Sequence, residues 1–246
     1  MTSTTVDAAE IARFTALAAE WWDLDGPFKP LHRLNPARLG YLSDVLAGHF
    51  GRDPRQIRAL SGLTLLDIGC GGGLISEPMT RLGASVTGVD AGAENIAAAE
   101  THATAAGLDI DYHATAAENL VSEGARFDIV LALEIIEHTA DPAAFLHCLA
   151  ALVKPGGIVI ISTLNRTAKS WAMAIAAAEY ILHWVPRGTH DWKKFLKPSE
   201  LAHLMRNAGL TLSSQKGLVF DPRSHSWSLD DHDLDVNYFA VATPGS

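Results

Sequence analysis

The sequence predicts an α/β fold with a doubly wound, mostly parallel sheet, and two observations support this prediction. From residue 64 onward, short apolar runs typical of buried strands alternate with longer segments of helical periodicity. The first strand, 64–68, leads directly into a glycine-rich turn, and Asp90 ends the next strand. Parallel strands need a long crossover between them, usually a helix, so the alternation indicates parallel pairing.

About 60 residues precede this alternation, and we expect them to form a helical cover. Residues 7–22 place apolar side chains at helical spacing, and Asn35-Pro36 is typical of a helix start, for a helix that runs to about residue 50. The alternating part predicts strands at 64–68, 85–89, 110–114, 127–132 and 157–163, and helices at 74–82, 94–106 and 143–153. A helix at 198–208 and strands at 210–218 and 235–242 follow.

We interpret the 246 residues as one domain, divided into a cover (1–60), a cofactor-binding core (61–165), an insertion (166–197) and a C-terminal helix with strands (198–246). A hydrophobic content of 48% is sufficient for one buried core. The net charge of -9 and the lack of a long basic run disfavour nucleic acid as a partner. Two cysteines and the absence of a leader pattern in the first ten residues predict a cytoplasmic protein.

A glycine-rich turn after the first strand indicates a nucleoside cofactor. The turn carries the pattern D-x-G-x-G from Asp67 through Gly69 to Gly71, and Asp90 follows Gly69 by 21 residues. We expect the glycines to let backbone N–H groups approach a ligand at a helix start, and Asp90 to accept hydrogen bonds from ribose hydroxyls. A dinucleotide site needs G-x-G-x-x-G, but Leu74 occupies the third glycine position, which disfavours a nicotinamide-dependent oxidoreductase.

Glu134, Glu137 and His138 follow the fourth strand and would share one face of a helical turn. Two carboxylates and an imidazole in that arrangement suit a divalent cation, above all Mg²⁺, which would activate and orient a bound hydroxyl. Two alternatives stay open. In one, the acids serve only the dipole of a helix N-terminus; in the other, His138 acts without a metal as the catalytic general base.

Longer motifs indicate a family. The D-x-G-x-G pattern resembles motif I of the S-adenosylmethionine-dependent methyltransferases. More specific segments are W-W-D at 21–23, L-H-x-x-N-P-x-R at 31–38 and G-T-H-D at 188–191. With these, the chain resembles the ubiquinone biosynthesis O-methyltransferases of the UbiG type, from roughly residue 10 to residue 240.

That resemblance implies a Rossmann-like class I methyltransferase with a seven-stranded sheet and S-adenosylmethionine as methyl donor. It implies methylation of a catechol or hydroquinone hydroxyl on a polyprenylated ring, at both O-methylation steps of ubiquinone assembly. Together with the D-x-G-x-G pattern, it implies cofactor contacts at six residues, Arg38, Asp67, Gly69, Gly71, Asp90 and Leu133. The guanidinium of Arg38 suits the methionyl carboxylate. The alternatives are another phenolic acceptor and a non-catalytic module that binds lipid or associates with other ubiquinone-biosynthesis enzymes.

The insertion at 166–197 combines an apolar stretch containing Trp171 and Trp184 with basic residues around it. Since the stretch is too short to span a bilayer, one interpretation is a helix that lies among lipid headgroups, peripheral on the inner membrane where a polyprenylated substrate resides. The other interpretation is an active-site lid whose apolar face packs on the sheet.

Overall fold

The computed structural model describes residues 5–172, 191–221, 223–224 and 226–245. In these ranges the strands are β1 (Thr64–Ile68), β2 (Ser85–Asp90), β3 (Asp111–Ala114), β4 (Phe127–Leu133), β5 (Val153–Leu164), β6 (Leu210–Asp221), β7 (Ser226–Asp230) and β8 (Asn237–Pro244). The helices are α1 (Ala8–Thr15), α2 (Lys29–His49), α3 (Ser76–Arg81), α4 (Ala93–Ala105), α5 (Ala117–Ser122), α6 (Pro142–Leu152), α7 (Ala168–Ser170) and α8 (Pro198–Asn207).

The strands form one mixed sheet in the order β3-β2-β1-β4-β5-β8-β6-β7. The first five strands in this order pair in parallel, and β8, β6 and β7 extend the sheet with antiparallel pairing. The chain reverses direction across the sheet between β1 and β4, because β2 and β3 lie on one side of β1 and β4 and β5 on the other. In such open α/β sheets, ligands bind at that switch point, outside the carboxyl ends of the strands.

Both faces of the sheet are buried, and the strand residues alternate between them. Leu66 and Val130 pack with α5, α6 and α8 on one face, whereas Leu65 and Ile129 pack with α2 and α3 on the other. This alternation follows from the two-residue period of a strand, and it explains why the central strands are apolar throughout. The predicted α/β class with a doubly wound, mostly parallel sheet is confirmed.

The described sheet has eight strands, so the expected number of seven is wrong by one. β6 continues past residue 218 to Asp221, and β7 pairs back against it. Trp227 and Leu229 of β7 pack onto the cluster that contains Leu34 of α2. The sequence does not reveal β7, because two alternate apolar positions between polar residues resemble a loop as much as a strand.

The expected helix start at Asn35-Pro36 is also wrong. α2 begins at Lys29, and Pro36 lies inside it. A proline inside a helix removes one backbone hydrogen bond, so the helix needs support from packing. Leu34 and Arg38, one turn apart, are both buried and supply such packing on the side that faces the sheet.

Other boundaries differ by a few residues. The expected helix at 7–22 consists of α1 and a separate 3₁₀ turn at Ala18–Glu20. β5 begins at Val153, four residues before the expected start of its strand at 157. Most of the predicted insertion, including Trp184, falls outside the described residues. Among the described helices, none is long and apolar enough to cross a bilayer.

Candidate active site

All nine residues selected from the sequence line a single cavity at the carboxyl edge of the parallel strands. They are Arg38, Asp67, Gly69, Gly71, Asp90, Leu133, Glu134, Glu137 and His138. The cavity has a volume of about 340 Å³ and lies beneath α1 and the start of α2. Volumes of roughly 300–1,000 Å³ are typical of small-molecule sites, so the cavity is large enough for one nucleoside-sized ligand.

The glycine-rich turn has the backbone that its sequence requires, but side chains of this chain occupy the space beside it. Gly69 and Gly71 have φ angles of 72° and 52°, which L side chains rarely adopt. A Cβ atom at Gly71 or Gly72 would lie 2.4 Å from the Trp21 side chain, and one at Gly69 would lie 2.8 Å from Ile135. The glycines thus make room for Trp21 and Ile135.

The backbone donors of this turn are also engaged within the protein. The N–H groups of Gly69 and Cys70 donate to Val89 O at 2.8 and 3.0 Å, and Gly71 N–H donates to Asp90 Oδ2 at 3.1 Å. α3 begins only at Ser76. The N–H groups of Gly69, Cys70 and Gly71 are thus paired within the protein, and contact between this turn and a ligand stays a prediction.

Asp90 is held at the end of β2 by three donors. Besides Gly71 N–H, its carboxylate accepts from Gly92 N–H at 2.8 Å and from Asn95 Nδ2 at 3.1 Å. Asn95 in turn accepts from Trp21 Nε1 at 2.9 Å, and the Trp21 ring stacks on Phe28 at a centroid distance of 3.7 Å. A carboxylate offers about four acceptor positions, so Asp90 keeps acceptor capacity for a ribose hydroxyl.

Arg38 brings a positive charge to the cavity from α2. The residue is only 4% exposed, and its Nε and Nη2 atoms find no hydrogen-bond partner among the described residues. Burial lowers the pKa of the guanidinium, while Glu134, Asp67 and Glu137 act in the opposite direction. Since arginine stays charged in proteins and unpaired buried donors are costly, this geometry favours an anionic ligand group at Arg38.

Asp67 lies next to Arg38 at the end of β1. Burial raises its pKa to about 6, against the opposing effects of a hydrogen bond from Ser76 and of the Arg38 charge. Ser76 Oγ donates to Asp67 Oδ2 at 2.6 Å. Asp67 and Arg38 therefore present an acceptor and a donor to the same part of the cavity, which matches a zwitterionic amino acid group.

The segment after β4 is not the single helical turn that the sequence indicates. Glu134 has a φ angle of 54°, and a 3₁₀ turn follows only at Ile136–His138. Glu134 accepts hydrogen bonds from Ser162 Oγ at 2.7 Å and Asn237 Nδ2 at 3.2 Å. A positive φ at a residue other than glycine is strained and is held here by these contacts from β5 and β8.

All three residues predicted to bind a metal ion are engaged with other protein groups. Glu137 is buried and accepts from Thr163 Oγ1 at 2.8 Å, while His138 is turned toward Glu10. Within the described ranges, no three His, Cys, Asp or Glu side chains are arranged to hold a metal. The metal hypothesis thus stays a prediction from the sequence, and no step proposed below depends on an ion.

His138 pairs with a residue that sequence inspection missed. Its Nδ1 lies 3.1 Å from Glu10 Oε2 of α1, and its ring packs edge-on against Phe14 at 5.2 Å. Burial lowers the pKa of His138, but the hydrogen bond to Glu10 and the charges of Glu137, Glu10 and Glu134 outweigh it, so the pKa is raised. Glu10 also lies 3.6 Å from Lys194, which anchors α1 over the cavity.

Glu10, Asn95 and Asn237 line the cavity as well, and no short motif marks them. For Asn95 the sequence contains one weak signal, the W-W-D motif at 21–23, a cluster of large side chains before a loop. Only the tertiary structure shows that Trp21 reaches Asn95, 74 residues later in the chain.

Comparison with known proteins agrees with this fold. A family model described as a methyltransferase domain matches residues 35–215. The chain is 56% identical over 240 residues to the ubiquinone biosynthesis O-methyltransferase of Cereibacter sphaeroides, covering 98% of this chain and 97% of that protein. The corresponding protein of Dinoroseobacter shibae is 55% identical, with coverage of 97% and 96%.

A solved structure shares the fold. The N-methyltransferase NodS from Bradyrhizobium japonicum, in complex with S-adenosyl-L-homocysteine, superposes with a TM-score of 0.62 at 14% identity, covering 96% of this chain and 99% of that one. The near full-length identity above 50% is decisive for the family. The chain belongs to the ubiquinone biosynthesis O-methyltransferases, which are S-adenosylmethionine-dependent enzymes with the class I methyltransferase fold.

Proposed function

We propose that this cavity holds S-adenosylmethionine with its ribose at Asp90 and its methionyl group between Arg38 and Asp67, and that the chain methylates polyprenylated catechol and hydroquinone acceptors. The observation that carries the proposal is the buried, unpaired guanidinium of Arg38 in the same cavity as Asp90. Charge-assisted bidentate bonds to a carboxylate would satisfy both of its unpaired nitrogens. Gly69, Gly71 and Leu133 shape the wall between these two groups.

His138 is the proposed general base. A phenolic hydroxyl is a weak nucleophile until it loses its proton, and an imidazole that lines the cavity can accept that proton. The Glu10 carboxylate at Nδ1 orients the ring and stabilises the imidazolium that forms. S-adenosylmethionine, held by Arg38, Asp67 and Asp90, would supply an electrophilic methyl group for in-line displacement by the deprotonated oxygen, with S-adenosylhomocysteine as the leaving thioether.

The acceptor class follows from the relatives and the lining of the cavity. The relatives are named for ubiquinone biosynthesis, whose intermediates carry a hydroxylated ring and an apolar tail. Beyond the polar groups, the cavity walls are apolar, with contributions from Leu31, Leu34 and Leu164. Such walls favour an aromatic ring, because they exclude water and place few polar groups near it.

The test is methyl transfer from S-adenosylmethionine to a short-tail catechol and to a demethylubiquinol. We expect both acceptors to be methylated, with S-adenosylhomocysteine formed in equal amount. Removal of a general base typically lowers rates by about 10²–10⁴-fold, so His138→Gln should lower kcat to that extent. His203→Gln, an exposed histidine on α8, is the matched control. If the unmodified protein methylates neither acceptor, the proposed function is wrong.

Peripheral contact with the membrane belongs to the same proposal. Trp171, at the end of α7, is 52% exposed, and Lys169 lies on the same short helix. An exposed tryptophan beside a lysine suits a headgroup interface. Liposomes with anionic lipid should therefore retain the protein in sedimentation, less so after Trp171→Glu, whereas Ile57→Glu, on another exposed apolar residue, should have no effect. Equal sedimentation of both variants would contradict the role of Trp171.

A further inference from the structure

The size of the cavity restricts where a long apolar tail can lie. At about 340 Å³, the cavity is near the lower end of the roughly 300–1,000 Å³ typical of small-molecule sites. The proposed cofactor and the ring of the acceptor must share that space. A polyprenyl tail therefore has to leave the cavity through one of its walls.

The walls differ in charge. On the side of α1, the lining mixes apolar residues such as Phe14 with four ionisable ones, Asp7, Glu10, Arg13 and His138, and along β1 and β2 it includes Asp67 and Asp90. The wall from β6, β7 and the segment before β8 instead consists of Phe220, Trp227 and Val236, with the amide of Asn237 beside them. Contact with the wall of Phe220, Trp227 and Val236 would lower the free energy of an apolar chain by removing it from water. Contact with the α1 side would also remove ionised groups from water, which is unfavourable.

The three residues of the apolar wall border two cavities. Phe220, Trp227 and Val236 also line a second, smaller cavity of about 30 Å³. Phe220 and Trp227 are cross-strand partners in the β6–β7 hairpin, with ring centroids 5.2 Å apart. All three side chains are only half-buried, and Trp227 packs at the edge of the core cluster that contains Leu34.

The small cavity leads toward the surface beside α7. Its remaining lining is Leu218, Val219, Lys169 and Asp233. Lys169 Nζ and Asp233 Oδ2 form an ion pair at 2.7 Å, and both side chains are substantially exposed. Lys169 precedes the exposed Trp171 by two residues, so this opening lies close to the proposed membrane contact.

We propose that Phe220, Trp227 and Val236 form the subsite through which the isoprenoid tail of the acceptor leaves the active site toward the Lys169–Asp233 ion pair. This inference rests on the proposed function, because it presumes a tailed acceptor. The two rings and the valine contact the first isoprene units, and the tail continues beside α7 to the lipid surface.

The first test compares a tail-less catechol with the same catechol carrying a farnesyl tail, in detergent. Trp227→Glu should lower the ratio of kcat/KM for the tailed acceptor to that for the tail-less one by at least tenfold, because a carboxylate would face the tail. Ser228→Glu adds the same charge to the same strand at an exposed position between the two inward-facing residues Trp227 and Leu229. Ser228→Glu should leave this kcat/KM ratio within twofold of the value for the unmodified protein, and Trp227→Phe should do the same.

An unchanged ratio in folded Trp227→Glu would overturn the proposal. Folding is checked by the melting temperature and by binding of S-adenosylhomocysteine. Turnover of the tail-less acceptor by the unmodified protein tests the proposed function separately, so the two failures are distinguishable.

A second measurement needs no variant. A catechol whose tail carries a diazirine on its second isoprene unit is photolysed with the unmodified protein, and the adducts are mapped by mass spectrometry. We expect label on residues 218–236, above all Phe220 and Trp227. Label confined to α1 or to the glycine-rich turn would overturn the proposal even if Trp227→Glu does not fold.

Discussion

The role of Arg38 can be isolated by comparing two ligands that differ only in the amino acid group. S-adenosylhomocysteine carries this group, whereas 5′-methylthioadenosine shares the nucleoside but lacks it. Replacing Arg38 by glutamine removes the buried guanidinium whose Nε and Nη2 are unpaired. The change should weaken binding of the first ligand and spare the second.

The magnitude follows from the geometry. A hydrogen bond to a charged group contributes about 1.5–3 kcal/mol, and each 1.4 kcal/mol corresponds to a tenfold change in Kd. Two unpaired nitrogens in a forked group match one carboxylate. We therefore expect Arg38→Gln to raise the Kd for S-adenosylhomocysteine by about 10- to 150-fold. Arg38→Lys keeps the charge but loses the fork, so its effect should be smaller.

The assay is isothermal titration calorimetry with both ligands on each variant. Arg38 also offsets the charges of Glu134, Asp67 and Glu137, so its removal can loosen the cavity as a whole. Such loosening would weaken both ligands alike. If Arg38→Gln raises the two Kd values by the same factor, Arg38 acts on the protein structure, and the assignment to the methionyl carboxylate is refuted.

Three further predictions concern the other groups of the cavity. The pKa of His138 is raised, largely through Glu10, and the base form of His138 is lost as the pH falls through that raised value. Glu10→Gln should therefore shift the acidic limb of the kcat/KM profile to lower pH. The exposed Glu20→Gln should leave that limb unchanged. Gly72→Ala would clash with Trp21 and should lower the free energy of unfolding by about 1–3 kcal/mol in urea titrations. If the clash is the cause, the same change should cost less in a protein that already carries Trp21→Ala. Methyl transfer should persist in EDTA, because Glu134, Glu137 and His138 are each engaged with protein groups; a loss that Mg²⁺ restores would revive the metal hypothesis.

The two interpretations of the glycine-rich turn illustrate how the same residues acquire a different role in three dimensions. In sequence, Gly71 and Gly72 indicate a loop that approaches a ligand. In the structure, Trp21 fills the space that a Cβ at either position would need. The turn therefore holds Asp90 through the Gly71 N–H group and leaves room for Trp21 of the helical cover.

The sequence by itself determined the fold class, the edge of the sheet that carries the candidate site and nine of the residues that line its cavity. It could do so because strand periodicity, glycine positions and carboxylates at strand ends are local patterns, and parallel strands bring their carboxyl ends together. The motif at 31–38 also identified Arg38, although α2 begins seven residues earlier than the Asn35-Pro36 pair suggests.

Only the tertiary structure decided the orientation of Glu134, the partnership of His138 with Glu10 and the apolar wall of Phe220 and Trp227. His138 and Glu10 are 128 residues apart in the chain. Phe220 and Trp227 pair in a hairpin that has no sequence signature. Side-chain direction after a strand depends on a single backbone angle, here the φ of 54° at Glu134 that contacts from β5 and β8 hold in place. Local periodicity carries no information about such an angle, because it is set by packing between distant segments.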